Sequence, residues 1–516
     1  MISLQKWFWV LGLWVCFAGL GRLPLLDPDE PRYAQAAREM MVRGDWMNPT
    51  LNQEDRWDKP ILFYWLVLAS YKSFGVSEWS ARLPSAVFCC FSMLIVFLWL
   101  KANGRSFAAV ASLILMSNLE FLVLGRLCVT DMTLCFFKSA SLILFFEAWK
   151  REKKYLYILS ALMCALGVIT KGPVALLVPI LIISIFLTLT KSWHTLGQVP
   201  WFLVLVLFSA VAVPWFVVES LFHPGFFEYF FIRHNIKRFA TSELKHTESV
   251  YYYFLVIAAG FFPWSVYLPR AFWKSIHKFR LDPLILLCLV WVLIEVVFFT
   301  LARAKVPTYI LSIFLPMSII VARLWDKSDE KGFHWENRLI IFISAAGLAA
   351  GGIFWLHQFP NFRIHLFEGV GAGALILAVM GWLFIEREKF RKFSLAFCMF
   401  FAAYAGFGWA LAPVFADMRS LKSFSQAISN QKISPSQVIS FQLFKPSLVF
   451  YLNQRIENPK SLDDLRLFLG RDEAIYCVLR EEWWLKIQSE PFARDTVLLA
   501  SNHGKILIFR DKRRKG

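Results

Sequence analysis

The chain consists of long apolar runs separated by short polar segments. A helix needs about 20 apolar residues to cross the hydrocarbon core of a bilayer, and thirteen runs reach or approach that length. The predicted spans are residues 7–24, 82–100, 107–124, 132–149, 155–170, 173–190, 200–218, 251–269, 283–301, 307–323, 339–356, 369–385 and 394–415. Ile61–Phe74 is apolar but short, so we predict a helix that lies at the membrane interface or re-enters the membrane.

The polarity changes after about residue 417, where short β-like and helix-like segments alternate. The β-like runs are Val438–Leu443, Leu448–Leu452, Ala474–Leu479, Thr496–Ala500 and Ile506–Phe509, and the helix-like stretches are Ser461–Leu469 and Glu482–Gln488. We therefore predict a polytopic α-helical membrane protein with about 13 transmembrane helices in residues 1–415. Residues 416–516 are predicted to form a small α/β domain.

Composition and charge agree with a membrane protein. The chain is 58% hydrophobic and 18% charged, with a net charge of +18, which excludes a soluble or disordered chain. With the N-terminus inside, clusters such as Lys150–Lys154 and Arg387–Lys392 fall in predicted cytoplasmic loops, as the positive-inside rule expects. The excess positive charge therefore reflects membrane topology, and we expect lipid rather than nucleic acid as a partner. The odd span count places the C-terminus outside.

The nine cysteines and the N-terminal run add two further expectations. Eight cysteines lie in or beside apolar segments, so no structural disulfide and no zinc site is expected. The first apolar run follows Lys6 but lacks a convincing cleavage site, so it is read as a retained helix.

Candidate chemistry concentrates in the outer connections. The first outer loop, residues 25–82, is too long for a simple turn and carries both acids and bases. Short outer turns should be poor in cations, yet four are present: Arg126, Lys171, Arg303 and Lys305. An anionic ligand at the outer face would explain them, because a phosphate needs cationic donors around it. Neighbouring acids would serve proton transfer or bind a divalent metal.

Each candidate also has a purely structural interpretation. Asp29 precedes a helical run and would cap it, and Lys59 would extend its ammonium from a helix end toward water. His234 would be a solvated loop residue, Tyr309 a member of an interfacial aromatic belt, and Asp131 a favourable charge at a helix start. Their location on one predicted face is more specific than any one of them.

A set of ordered motifs carries a family resemblance across residues 20 to 320. The motifs are Asp27–Ala34, Gly44–Trp46, Trp57–Pro60, Arg126–Asp131, Thr170–Pro173, Pro214–Trp215, Phe231–Phe239, Gly260–Ser265 and Lys305–Tyr309. Together they resemble the bacterial lipid A aminoarabinose transferases and their broader relatives, the protein O-mannosyltransferases, within the C-type glycosyltransferase superfamily. Thirteen spans and an outer C-terminal domain are similar to the layout of the aminoarabinose transferases.

The resemblance implies roles for individual residues. Asp29 corresponds to the acid at the acceptor and the reacting carbon, and Asp131 to a second functional acid. The candidate catalytic residues are thus Asp29, its neighbour Glu30, and Asp131. The residues implied to hold the carrier phosphate are Lys59, Arg238, Tyr309 and Lys305. Asp58 and His234 correspond to a metal-linked pair, so a divalent metal is the only cofactor implied. Asp58 stands where the family has Glu, and its side chain is shorter.

The activity implied is sugar transfer from a polyprenyl (undecaprenyl) phosphate to an acceptor on the periplasmic face. The donor sugar stays open between aminoarabinose, mannose, galactosamine and others, and the acceptor between lipid A, another glycan and protein. One carboxylate and one displacement predict inversion at the sugar carbon. The implied location is the bacterial inner membrane, with multiple spans and with the active site and C-terminus in the periplasm.

Two alternatives come from other functional classes. A transporter or flippase of a lipid-linked substrate would have two related halves with broken helices at mid-membrane, and no such repeat is evident in the sequence. A structural or assembly protein would leave the dense charge of the first outer loop without a purpose.

Overall fold

The computed structural model describes residues 12–237, 248–279, 281–327, 412–431, 437–493 and 495–510, with scattered positions between 333 and 343. The chain divides into two units, within which only the described residues are considered. The first comprises Met1–Leu20, Trp57–Leu66 and Arg82–Leu411, and the second comprises Gly21–Arg56, Val67–Ala81 and Ala412–Gly516. The predicted span 369–385, and most of the predicted spans 339–356 and 394–415, lie outside the described residues.

The described residues contain five helices long and apolar enough to cross a membrane, or up to seven spans if two bent pairs are included. The five are Glu78–Ala102, Asp131–Arg151, Lys154–Lys171, Pro283–Leu301 and Pro307–Lys327. The bent pairs are Trp201–Ala212 with Pro214–Phe222 and Tyr252–Gly260 with Trp264–Lys278; Val174–Thr190 is apolar but shorter. The chain is therefore a polytopic helical membrane protein, and the count of thirteen spans stays a prediction.

The predicted spans 107–124, 200–218 and 251–269 are each interrupted in the structure, and the first and the last of these breaks have a clear local cause. The run 107–124 forms Ala108–Met116 and Leu119–Leu124, because the side chain of Asn118 accepts from Phe121 N and starts a new helix. The run 251–269 bends by 115° after Gly260, where Pro263 lacks a backbone donor for a continuous helix. Hydropathy does not register these breaks because the flanking residues remain apolar.

Shorter elements complete the connections between the spans. The predicted helix at residues 61–74 is present as Leu62–Phe74. The other elements are the 3₁₀ segments Trp193–Gln198, Trp264–Tyr267 and Pro307–Ile313, the π-helical segments Glu228–Lys237 and Ser275–Phe279, and the α-helices Leu268–Lys274 and Phe314–Lys327.

A buried ion pair links three elements of the first unit. Lys138 Nζ lies 2.5 Å from Glu295 Oε1, and the side chains are 2% and 0% exposed. Glu295 also accepts hydrogen bonds from Trp291 Nε1 at 3.0 Å and from Ser312 Oγ at 2.6 Å. Charges inside a membrane protein are expensive unless they are paired in this way. The network joins Asp131–Arg151, Pro283–Leu301 and Pro307–Ile313.

The second unit is an α/β structure. Its strands are β1 (Thr50–Leu51), β2 (Glu54–Asp55), β3 (Gln437–Phe441), β4 (Ile475–Arg480), β5 (Thr496–Asn502) and β6 (Lys505–Arg510). The last four form a sheet of order β3-β4-β6-β5, in which β3 and β4 are parallel and the other pairs antiparallel. The α-helices are Asp29–Arg43, Ala412–Met418, Lys422–Ser429, Pro446–Leu452, Leu462–Leu469 and Glu481–Ile487, with a 3₁₀ turn at Pro491–Ala493.

Alternating residues of the strands bury both faces of this sheet, as expected for a sheet covered on two sides. Val438, Tyr476 and Val478 pack with Phe424 and Leu448 in one core. Their neighbours along the strands form a second core on the opposite face: Ile439, Phe441, Ile475, Cys477 and Leu479, with Leu465, Leu469, Ile487, Ile506 and Ile508. Residues of the first outer loop belong to the same unit as this sheet.

One predicted strand is wrong. Leu448–Leu452 was expected to be β-like, but the structure has the helix Pro446–Leu452 there. Proline at the first helical position has a favourable φ and no donor to lose, and Asn453 in the left-handed region ends the helix. The four other predicted strands and both predicted helices of this region are present.

Candidate active site

The segment Trp57-Asp-Lys-Pro60 contacts the π-helical segment Glu228–Lys237 through two polar pairs. Lys59 Nζ lies 3.0 Å from His234 Nε2, and Tyr229 Oη donates to Asp58 Oδ1 at 2.7 Å. An ammonium has no acceptor, so Nε2 of His234 accepts and its ring proton is assigned to Nδ1. The sequence-predicted residues Asp58, Lys59 and His234 are thus brought together.

Aromatic packing fixes the position of this segment. The ring of Trp57 lies 6.0 Å from those of His223 and Tyr229 and 6.1 Å from that of Phe226. The rings of Tyr229 and His234 stack with an interplanar angle of 9°. Aromatic side chains have few rotatable bonds, and such contacts restrain their neighbours at low entropic cost. Asp58 and Lys59 therefore project from an anchored loop.

A second group joins side chains from two consecutive helices and from a third, distant element. Lys171, the last residue of Lys154–Lys171, places Nζ 2.6 Å from Oδ1 of Asp131, the first residue of Asp131–Arg151. Both side chains are 11% exposed. The same ammonium lies 5.2 Å from the ring centre of Tyr309, within the range of a cation–π contact. The predicted residues Asp131 and Tyr309 are therefore brought together by Lys171.

Gly172 connects the two groups. It has a φ of +94°, and a Cβ added there would lie 3.1 Å from Phe230 Cζ and 3.6 Å from Asn235 Oδ1. A larger residue would be strained in this conformation and would press on the segment that carries His234. The close approach places the Lys171 backbone beside the element that contacts Lys59.

Two residues near this region were not assigned roles from the sequence. Lys171 was noted as an unexpected cation in an outer turn and as part of the motif Thr170–Pro173, and both were available signals, but no individual role was assigned to it. Glu120 lies on the short helix Leu119–Leu124, and its Oε1 is buried without a hydrogen-bond partner among the described residues. A Cβ on Gly260 would lie 2.4 Å from Glu120 Oε2. A single acidic residue in an apolar run does not indicate, from the sequence alone, that its carboxylate lies buried beside Gly260.

Two further residues of the first unit, Lys305 and Arg238, were predicted to bind the carrier phosphate. Lys305 Nζ donates to the carbonyl oxygen of Glu248 at 3.0 Å, and the side chain is buried. Arg238 lies outside the described residues. The assignment of both to the carrier phosphate stays a prediction.

Asp29 and Glu30 lie in the second unit, at the start of Asp29–Arg43, and differ in environment. The Asp29 carboxylate is exposed and lies 3.4 Å from Arg32 Nη1. Glu30 is buried, and its Oε2 accepts a hydrogen bond from Leu26 N at 2.9 Å. This contact satisfies a backbone donor near the helix start, which is a structural task. Asp29 is the more accessible of the two acids.

The donor set around Asp58 and His234 does not fit a divalent metal. Among the residues that the structure describes, no three His, Cys, Asp or Glu side chains converge on one point. The Lys59 ammonium is directed at His234 Nε2, where a metal would meet a like charge. One of the two carboxylate oxygens of Asp58 accepts from Tyr229. Zinc sites are held by three or four protein ligands, more than Asp58 and His234 supply.

Known proteins resemble this chain in sequence over most of its length. A family model described as dolichyl-phosphate-mannose-protein mannosyltransferase matches residues 24–230. An undecaprenyl phosphate-alpha-4-amino-4-deoxy-L-arabinose arabinosyl transferase of Aeromonas hydrophila is 31% identical over 445 residues, which are 81% of this chain and 79% of the relative. A transferase of the same description from Yersinia enterocolitica is 32% identical over 355 residues, or 64% of this chain and 62% of the relative.

A solved structure has the same fold. The crystal structure of ArnT from Cupriavidus metallidurans bound to undecaprenyl phosphate aligns with a TM-score of 0.85 and 22% sequence identity, covering 98% of each chain. At that identity the likeness establishes the fold. The similarity extends beyond the motif region at residues 20 to 320.

Proposed function

Since this chain belongs to the family of the bacterial undecaprenyl phosphate–aminoarabinose arabinosyl transferases, we propose that it transfers 4-amino-4-deoxy-L-arabinose from undecaprenyl phosphate to lipid A. We further propose that transfer takes place on the periplasmic face of the inner membrane. Among the donor sugars left open by the sequence, this one fits the descriptions of the relatives. Among the acceptors left open, lipid A fits the motif resemblance.

The broader activity is established. The expectation of an integral-membrane glycosyltransferase that uses a lipid-linked donor is confirmed by the relatives and by the family model. The chain is accordingly a multi-pass membrane enzyme. The long tail of such a donor stays in lipid while its phosphate reaches the enzyme.

The proposed mechanism rests on one observation in the first unit, the placement of Lys59 beside His234 and of Lys171 beside Asp131. Lys59 and Lys171 come from distant segments, and Gly172 brings their surroundings together. As the bond between the anomeric carbon and the carrier oxygen breaks, the bonding pair leaves with the phosphate. Preorganised donors stabilise that developing charge. We assign this task to Lys59, Lys171 and the hydroxyl of Tyr309.

The acids complete the proposed reaction. Asp131 lies 2.6 Å from Lys171 Nζ and orients that ammonium. Asp29 acts on the acceptor: it takes the proton of an attacking hydroxyl, or steers an attacking phosphate oxygen, which has no proton to lose. The acceptor oxygen forms its bond to the anomeric carbon as the carrier oxygen departs. A single displacement inverts the configuration.

Removal of divalent metals is expected to leave transfer unchanged. The reason is that Lys59 and Tyr229 engage His234 Nε2 and Asp58 Oδ1, and the proposed reaction assigns the stabilisation of the leaving phosphate to protein donors. The measurement compares initial rates before and after dialysis of the purified enzyme against EDTA. A rate that falls and is restored by one added metal would contradict this account.

Release of the carrier tests the proposal directly. Proteoliposomes containing the enzyme and undecaprenyl phosphate-linked 4-amino-4-deoxy-L-arabinose, labelled in the sugar, should release undecaprenyl phosphate only when lipid A is present. Mass spectrometry should then find the sugar on lipid A. Label moved across the bilayer without carrier release would favour a flippase. Labelled protein or another glycan, with lipid A unlabelled, would overturn the proposed acceptor.

A further inference from the structure

A carboxylate in the acidic motif is bound by the C-terminal part of the second unit. Asp27 is 5% exposed. Its Oδ2 accepts from Ser447 Oγ at 2.5 Å, and its Oδ1 accepts from Ser447 N at 2.9 Å. The backbone N of Asp27 also donates to the carbonyl oxygen of Arg419 at 2.7 Å. A buried carboxylate is tolerated only when hydrogen bonds replace its hydration, so this contact is specific.

A second set of contacts holds the chain two residues earlier. Leu25 N donates to Tyr451 Oη at 2.9 Å, and Tyr451 Oη lies 3.1 Å from Glu78 Oε1. Lys422 Nζ contacts the same oxygen of Glu78 at 2.5 Å. The Lys422 ammonium and the Tyr451 hydroxyl both donate to this carboxylate oxygen, and hydrogen bonds to an ionised acceptor are the stronger ones. The ionised carboxylate is therefore the form that the network stabilises.

The helix that begins at Asp29 is bound at further points along its length. Arg38 Nη1 donates to the carbonyl oxygen of Phe450 at 3.0 Å. Beyond the helix, Asn52 exchanges hydrogen bonds with the backbone of Ile456, at 2.9 Å and 2.8 Å. These contacts and those of Leu25 and Asp27 come mainly from one short region, residues 446–456. We call the pair Asp27–Ser447 and the group Leu25–Tyr451–Glu78–Lys422 the clasp.

The clasp explains how an exposed acid obtains a defined position. The exposed carboxylate of Asp29 lies 3.4 Å from Arg32 Nη1, and exposed ion pairs restrain a side chain weakly. Its backbone, in contrast, begins two residues after the bound Asp27, and the next residue, Glu30, accepts a hydrogen bond from Leu26 N. The C-terminal region binds residues 25–30, and these residues therefore fix the backbone position from which the Asp29 carboxylate projects.

We infer that the C-terminal region positions the catalytic acid through the clasp, with Ser447 and Asp27 as positioning residues for Asp29. The inference rests on the proposed function, because it takes Asp29 as the acid that acts on the acceptor. It gives the C-terminal α/β structure a defined task within the enzyme. An acid displaced by about 1 Å loses on the order of 100-fold in rate.

The test separates positioning from simple stability. Ser447→Ala removes the hydroxyl that binds Asp27 and also accepts from Leu421 N at 3.0 Å; Asp27→Asn leaves that second bond intact. Both variants should lower kcat by about 10- to 100-fold with little change in the KM for the donor. Ser447→Thr keeps the hydroxyl and should retain most of the turnover. Ser440→Ala is the matched control, because Ser440 is also buried and its hydroxyl donates to the carbonyl oxygen of Leu443 within its own region.

The outcomes distinguish this inference from the proposed function. If the clasp variants lose no more turnover than Ser440→Ala at an equal thermal midpoint, the clasp is merely structural and the inference fails. If Ser447→Ala does not fold, Asp27→Asn decides. If Asp29→Asn keeps full activity, the assigned role of Asp29 fails, and positioning through it fails as well. An inactive Asp29→Asn with fully active clasp variants overturns the positioning role alone.

Discussion

Asp29→Asn is expected to lower turnover by about 10²- to 10⁴-fold, the contribution typical of a positioned acid or base. Asparagine has nearly the same shape but lacks the charge needed to accept a proton or to steer the acceptor. The side chain is 64% exposed and its pair with Arg32 spans 3.4 Å, so the fold should lose little stability. The measurement is the initial rate of labelled sugar transfer in proteoliposomes, with the thermal midpoint recorded on the same preparation.

The chain provides a matched control for this substitution. Asp463 lies in the first turn of Leu462–Leu469 and contacts Arg466 at 3.4 Å, again three residues along the helix. Asp463→Asn removes the same kind of charge from the same kind of surface pair in the same unit. It should leave the transfer rate unchanged. Equal rates for Asp29→Asn and the wild type would remove Asp29 from the mechanism.

Lys138→Met is expected to destabilise the first unit by about 3–5 kcal/mol, because it leaves Glu295 as an unpaired buried charge. Glu295 is fully buried and has Lys138 Nζ at 2.5 Å. Ser312, also bound to Glu295, lies one turn beyond Tyr309, and Lys138 lies two turns beyond Asp131. Loss of this network should therefore lower both the thermal midpoint in detergent and the transfer rate.

A second substitution separates the charge from the packing. Lys138→Met combined with Glu295→Gln removes both charges and keeps an amide oxygen for Ser312 and Trp291, so most of the stability should return. Arg105→Met is the comparison, because the Arg105–Asp282 pair at 2.7 Å is less buried than Lys138–Glu295, so that leaving its acid unpaired should destabilise the unit less. A double variant as unstable as Lys138→Met would mean that packing, rather than unpaired charge, causes the loss.

Hydropathy predicted where helices occur more reliably than whether each helix is continuous. Long apolar runs such as 283–301 are single helices, since an uninterrupted apolar segment satisfies its own backbone hydrogen bonds in lipid. The run 251–269 bends because one proline lacks a donor, a local feature that an average over nineteen residues or so does not detect. Leu448–Leu452 illustrates the same difficulty: a five-residue apolar run suits a strand or a helix, and its neighbours Pro446 and Asn453 favour the helix.

The site residues, like the helices, were predicted only in part from the sequence. Motif resemblance identified Lys59, His234, Asp131 and Tyr309, and the structure pairs Lys59 with His234. The motif resemblance did not identify Lys171 as the residue that joins Asp131 to Tyr309. Asp131 and Lys171 are 40 residues apart, Tyr309 lies far beyond both, and no spacing in the sequence encodes their meeting.

The order of apolar and charged residues alone determines that this chain lies in a membrane, because burial of apolar area and placement of cations depend on residue type at each position. The partners of the charged side chains depend on tertiary structure. Lys138 with Glu295 and Asp27 with Ser447 are over 150 and over 400 residues apart. Such pairs form only where packing excludes water and leaves each buried charge one suitable neighbour.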